Sequence, residues 1–218
     1  MKVLVFDTET TGLPKDRYAS FKDSESYPHI IQLSYILYDT NNKELLFSVD
    51  NIIKISDDVD LTEESVKIHK ITREISKTKG IELRDAICEF NKTFQEADLI
   101  VAHNISFDKQ IIMVESHRLK EQQCFNISGN IKPVFCTMKK TVDFCAIEKI
   151  NKYGDKYFKW PTLGELYKKL FNEQPKGCHN AMADVLICLR CYMKFKFNRD
   201  LLIDSSDKLK EMYNSYCQ

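Results

Sequence analysis

The segment Val3-Leu4-Val5-Phe6-Asp7-Thr8-Glu9-Thr10-Thr11-Gly12-Leu13 ends an apolar run on two carboxylates, Asp7 and Glu9, two residues apart. Side chains of a strand alternate between its faces, so both acids project from one side and can reach a common cation. Asp-x-Glu in an acid-rich chain also suits a solvated strand end, and two further acids weigh against that reading. Asp108 ends His103-Asn104-Ile105-Ser106-Phe107-Asp108, directly after the apolar Leu99-Ile100-Val101-Ala102, and is expected to open a helix. Asp184 falls in the first turns of a helix marked by Met182, Val185, Leu186, Leu189 and Met193. A helix N-terminus would stabilise either acid alone. Four acids in the order strand, strand, helix start, helix start suit two hard divalent ions, which take oxygen ligands and leave positions open for water and phosphate. His179 stands five residues before Asp184, just after the breaker Gly177. From there an imidazole could overlook the acids and take a proton from metal-bound water.

The elements that would carry these residues follow from periodicity. Strands are expected at 2–7, 30–38 and 45–53, with a polar turn at 39–43 joining the last two as an antiparallel pair. Helix formers fill 62–79 around Ile68-His69-Lys70-Ile71-Thr72, and Leu83, Ile87, Phe90 and Phe94 form one helical stripe within 82–97. A buried strand is expected at 99–102, a helix from Asp108 through Ile111, Ile112, Glu115 and Leu119, and a short strand at 134–138. Further helices are marked by Leu163, Leu166 and Leu170, by the Met182–Met193 pattern, and by a closing segment at 204–216. A meander followed by alternating helices and strands predicts an α/β fold with a mixed sheet covered by helices.

A chain of 218 residues, 43% hydrophobic, suffices for one domain with one core, expected to span 1–218. No apolar run approaches the roughly 20 residues of a membrane span, and the first strand leaves no room for a signal peptide. A soluble, intracellular and cytoplasmic protein is expected, with no membrane partner. The eight cysteines sit mostly in apolar segments without zinc spacing, which favours reduced thiols; Cys188 and Cys191 read as helical neighbours. Thirty-two basic residues balance thirty-two acidic ones, so no global field draws a polyanion to the surface. A carboxylate cluster holding divalent metal would reverse the local charge.

With these residues in hand, the chain resembles the DnaQ-like (DEDD) 3′–5′ exonucleases of the RNase H-like superfamily, in their histidine-bearing DEDDh branch. Three ordered blocks carry the likeness: Phe6-Asp7-Thr8-Glu9-Thr10-Thr11-Gly12-Leu13, His103 to Asp108, and His179-Asn180-Ala181-Met182-Ala183-Asp184. A fourth, Ile68 to Thr72, has Lys70 where the family usually has glycine. The sister branch places tyrosine four residues before the last aspartate, where this chain has Asn180. Many relatives carry an aspartate where this chain has Cys136, a position that is not catalytic. The resemblance implies an RNase H-like five-stranded mixed sheet flanked by helices. It implies Asp7, Glu9 and Asp184 on one Mg²⁺ or Mn²⁺ ion, Asp7 bridging to a second, Asp108 on that second ion largely through water, and His179 as general base releasing 5′-mononucleotides. It also puts Thr10, Thr11, Leu13, His69 and Phe107 around the terminal nucleotide of a single-stranded DNA or RNA 3′ end.

Two stretches read as loops or insertions, 14–29 and 141–160. In the second, Lys149, Lys152, Lys156 and Lys159 interleave with Tyr153, Tyr157, Phe158 and Trp160, a composition that can hold phosphates and stack bases. The same segment could be a surface hairpin whose rings close over the core. A rival to a self-contained enzyme is a proofreading or adaptor subunit, with the closing helix docking on a polymerase or replication partner, or a homodimer.

Overall fold

A computed structural model describes residues 1–16, 18–126 and 131–217. Its main sheet has five strands: β1 (Lys2–Thr10), β2 (Ile30–Asp39), β3 (Glu44–Ile52), β4 (Leu99–Ala102) and β5 (Val134–Cys136). Their order is β3-β2-β1-β4-β5; β1, β2 and β3 pair antiparallel, while β4 pairs parallel with β1 and β5. The expected mixed sheet is thus present. Helices cover both faces, which is why β1 is a run of apolar residues rather than an alternation.

The parity of β1 assigns its two faces. Leu4 and Phe6 enter one core with Phe90 and Phe94 of α3 (Leu83–Glu96) and Ile111 and Ile112 of α4 (Ile105–Arg118). Val3 and Val5 enter the other with Leu166 of α7 (Leu163–Phe171) and Met182, Val185, Leu186 and Leu189 of α8 (Ala181–Phe197). By the same period of two, Asp7 and Glu9 fall on the α8 side and Thr8 on the α4 side.

The stretch 62–79 is two helices, α1 (Glu63–His69) and α2 (Arg73–Lys79). Thr62 and Thr72 each accept a hydrogen bond from the amide three residues on, at Ser65 and Ile75 (both 3.2 Å). Between the helices Lys70 has φ +64°, the left-handed conformation that glycine adopts freely and that explains the family's preference there. Helix α4 starts at Ile105, three residues earlier than expected, so Asp108 lies in its first turn rather than at its opening. Asn104, at φ +62°, makes the sharp entry without a side-chain cap, and the usual start signal is missing. Strand β5 stops at Cys136 because Thr137 begins α5 (Thr137–Lys140), its hydroxyl directed to the Ala102 carbonyl (3.3 Å).

Helix α6 (Val142–Cys145) leads into a hairpin of β6 (Glu148–Ile150) and β7 (Lys156–Phe158). Its rings do not close over the core: Tyr153, Tyr157, Phe158 and Trp160 are exposed, Trp160 by 61%. The closing segment is α9 (Leu201–Asp204) and α10 (Asp207–Tyr216), separated by extended Ser205. Buried Leu209 and Tyr213 dock α10 on its own fold. Buried Arg190 joins this region, bonding Asp200 (2.9 Å) and stacking on Phe171 (4.0 Å). The cysteines are free thiols; Cys188 and Cys191 lie buried in α8. Among the described residues, no helix is long and apolar enough to cross a membrane.

Candidate active site

The acids meet at the carboxyl ends of β1 and β4, the edge where open α/β sheets bind ligands. One carboxylate oxygen each from Asp7, Glu9 and Asp184 lie within 4.8 Å of one another. Asp108 reaches the same edge from the opposite face. It is 3% exposed, and its Oδ1 accepts the Thr8 amide (3.1 Å) and hydroxyl (2.8 Å). Thr8 therefore joins α4 to the strand that bears the other two acids.

Helix α8 is placed by its cap. Asn180 Oδ1 accepts the amides of Met182 (3.1 Å) and Ala183 (3.2 Å), so the residue that replaces the sister branch's tyrosine fixes the start of the helix. Just before it, His179 is exposed, has φ +72°, and donates its backbone amide to Asp184 Oδ2 (3.1 Å). The third block thus acts as a unit: the main chain of the histidine orients the carboxylate of the aspartate.

Burial and mutual repulsion hold these acids protonated far above their ordinary range. Asp7 is raised by burial first and then by Asp108, Asp184 and Glu9. Glu9 is pushed up to about 8 by burial, then by Asp184 and Asp108. Burial raises Asp108 to about 7, although its bonds from Thr8 oppose the shift, and Asp184 to about 6 against the His179 amide. Such a cluster fits a divalent cation, since oxygen donors that repel one another are relieved by positive charge.

These shifts have a consequence for stability. Each acid's folded value lies above its unfolded one, so its contribution is full below about pH 4 and is lost as pH rises through about 6, 7 and 8 for Asp184, Asp108 and Glu9. Asp39, Asp57, Glu165 and Asp200 have lowered values and titrate below this window. The lowered values of His69 and His103 oppose this loss only below about pH 6.5, so in chelator thermal stability should fall between about pH 6.5 and 8 by roughly a few kcal/mol, and Mn²⁺ should restore it at pH 8. Melting curves that are flat across this range in EDTA would refute the repulsive cluster.

Phe107, the residue before Asp108 on α4, lines a cleft of about 680 Å³ whose walls also include Leu13, Asn104, Lys139, Tyr18 and Trp160; the acids themselves do not line it. Leu13, 83% exposed, and half-buried Phe107 share one cavity. Thr10 and Thr11 are buried and spend their hydroxyls internally. Thr10 donates to the Gly12 carbonyl (2.8 Å), and Thr11 accepts the His29 amide (3.1 Å). His69 is buried outside the cleft lining, with Nδ1 accepting the Ile71 amide (3.0 Å); burial lowers its pKa.

Several contributors were not singled out by the sequence. Lys139, which was not named, brings α5 to the cleft, where it meets Trp160 of the lysine–aromatic segment that the sequence did mark. His103 is fastened between Thr137 Oγ1 (2.9 Å) and the Pro161 carbonyl (3.1 Å), and burial lowers its pKa to about 4. It is a neutral strut between β4 and the exit of the hairpin. Fully buried Glu115 accepts from the Ile30 amide (3.0 Å) and Arg118 (3.0 Å), and Arg118 donates to carbonyls of Pro28 and Tyr27. That pair pins the 14–29 segment, which supplies Tyr18 and Ala19 to the cleft.

A family model described as exonuclease, of the RNase T type, matches residues 4–192. The chain belongs to this exonuclease family. No curated protein matches the sequence at a significant level. Among solved structures, E. coli Exonuclease I in complex with a dA16 oligonucleotide superposes with a TM-score of 0.65 at 17% identity, over 98% of this chain and 42% of that one. A moderately thermophilic Exonuclease I from Methylocaldum szegediense gives 0.66 at 16% identity, over 93% and 42%. The zinc-bound form of an E. coli ExoI–ssDNA complex gives 0.65 at 20% identity, over 93% and 42%. This exonuclease chain thus spans less than half the length of these structures, and shares with them the DnaQ-like, RNase H-like fold.

Proposed function

We propose that this exonuclease removes nucleotides from the 3′ ends of single-stranded nucleic acid, releasing 5′-mononucleotides with two Mg²⁺ or Mn²⁺ ions. The observation that carries the reading is the convergence of Asp7, Glu9 and Asp184 within 4.8 Å. Asp7, Glu9 and Asp184 would hold one ion, and Asp7 with Asp108 the other. When bound, such ions activate water and neutralise charge developing at phosphorus. The chain's own residues do the remainder. His179 accepts the proton of the attacking water from the rim of the site, and its amide keeps Asp184 turned inward. Leu13 and Phe107 grip the last sugar and base, contacts indifferent to sequence. Single-stranded DNA is favoured as substrate because the structural neighbours include Exonuclease I bound to dA16.

The test is a time course on 5′-labelled linear and on circular single strands. Stepwise shortening from the 3′ end with mononucleotide product is expected, and a 3′-phosphate should slow it greatly. Cleavage of the circle would overturn the reading.

Trp160 sits where the hairpin meets the cleft, so the upstream strand would pass across β6 and β7. Not every lysine there is available. Lys159 binds Glu165 (2.6 Å), the residue that completes the capping box of α7, and Lys156 pairs with Glu148 (3.1 Å). Exposed Lys149 and Lys152 are the better candidates for phosphate contacts. Replacing Trp160, Lys149 and Lys152 together by alanine should raise KM about tenfold, since stacking contributes about 1 to 3 kcal/mol per base, and should reduce its salt dependence at unchanged kcat. An unaltered KM and salt slope would make the hairpin purely structural.

A further inference from the structure

We infer that Tyr216, at the end of α10, is a positioning residue for the loop that carries His179, acting through Asp50 and Gln32. This inference rests on the reading of His179 as the base. The Tyr216 hydroxyl donates to Asp50 Oδ2 (2.8 Å). Asp50 lies on β3 opposite Ser34, and its Oδ1 accepts from Gln32 Nε2 (2.7 Å) and Ser34 Oγ (2.6 Å). Gln32 is 2% exposed and faces Glu9 across the β1–β2 ladder. Its Oε1 accepts the amide of Ala181, the first residue of α8 (3.2 Å). Gln32 therefore uses one end of its carboxamide on Asp50 and the other on the helix that bears Asp184.

The same end of the chain reaches the loop from a second direction. A Cβ on Gly177 would stand 2.1 Å from the Tyr216 carbonyl, so the loop can pass there only as glycine, and Gly177 has φ +76°. Cys217 Sγ lies 3.9 Å from the Ala183 carbonyl. Residues 177–179 belong to no strand or helix and lead into Asn180, which caps α8, so their position depends on contacts at each side. On one side this is the Tyr216 carbonyl against Gly177, on the other the α8 amide held by Gln32. Tyr216 belongs to both, and it lies beyond the stretch that matches the family model. A shift of the base by an ångström costs turnover without changing how substrate is gripped.

The experiment compares Tyr216→Phe, which removes only the hydroxyl, and Asp50→Asn with the unaltered chain. It follows kcat and KM on a single-stranded oligonucleotide with Mn²⁺, Mn²⁺ affinity by calorimetry, and hydrogen exchange of amides 177–184. Both variants are expected to lose about tenfold in kcat, with KM and Mn²⁺ affinity within about twofold, and to exchange 177–184 faster. Unchanged exchange of that segment in both variants would overturn the inference. Faster exchange with unchanged kcat would support the tether and count instead against His179 as the base.

Discussion

Asp7→Ala is expected to be the most damaging substitution, lowering kcat by more than about 10³-fold. Several kcal/mol of charge stabilisation at phosphorus would be withdrawn, and each 1.36 kcal/mol is a decade in rate. The reason is position. Asp7 projects toward α8 with Glu9, yet lies next to Thr8, whose amide and hydroxyl hold Asp108 on the other side. It is the acid best placed to serve both halves of the cluster, and after burial all three others raise its pKa. Removing it should also weaken Mn²⁺ binding measured by calorimetry, while metal-free stability should hold or rise at pH 8 because repulsion is relieved. Chelation of the wild type should abolish hydrolysis, and Mg²⁺ or Mn²⁺ should restore it. Normal cleavage by Asp7→Ala, or by the wild type in excess EDTA, would end the metal-dependent reading.

The legibility of this site in the sequence differs between its parts. The acids were readable because a strand has period two and helix starts leave signatures, so local rules placed Asp7, Glu9, Asp108 and Asp184 on elements that the structure contains. The antiparallel opening and the mixed sheet were foreshadowed by the meander and the helix–strand alternation after it, whereas the strand order β3-β2-β1-β4-β5 was not. The start of α4 was missed because left-handed Asn104 replaces the capping residue on which a sequence reading depends. The closing helix expected at 204–216 runs from Asp207 to Tyr216, and the short α9 before it was not expected: Asp200 caps α9 with a bond to the Leu202 amide (3.1 Å), and a second start follows at Ser206. The network of Gln32, Asp50 and Tyr216 joins residues up to 166 positions apart. No local pattern encodes such a contact, since each residue there is an ordinary polar side chain until the sheet register aligns it.

His179→Asn should cost roughly 10² to 10⁴ in kcat, the range for a positioned general base. The choice of asparagine follows from the backbone. His179 occupies φ +72°, a conformation that asparagine accepts far better than alanine, and its link to Asp184 runs through the main-chain amide. The variant should therefore keep the loop, the orientation of Asp184 and the affinity for Mn²⁺, and lose only the group able to take a proton. His179→Ala should be at least as slow, with any excess loss reporting the strain of a non-glycine, non-asparagine residue in the left-handed region. Near wild-type kcat in His179→Asn, with Mn²⁺ affinity intact, would assign proton removal to bulk solvent and leave His179 only the backbone role that its amide already performs.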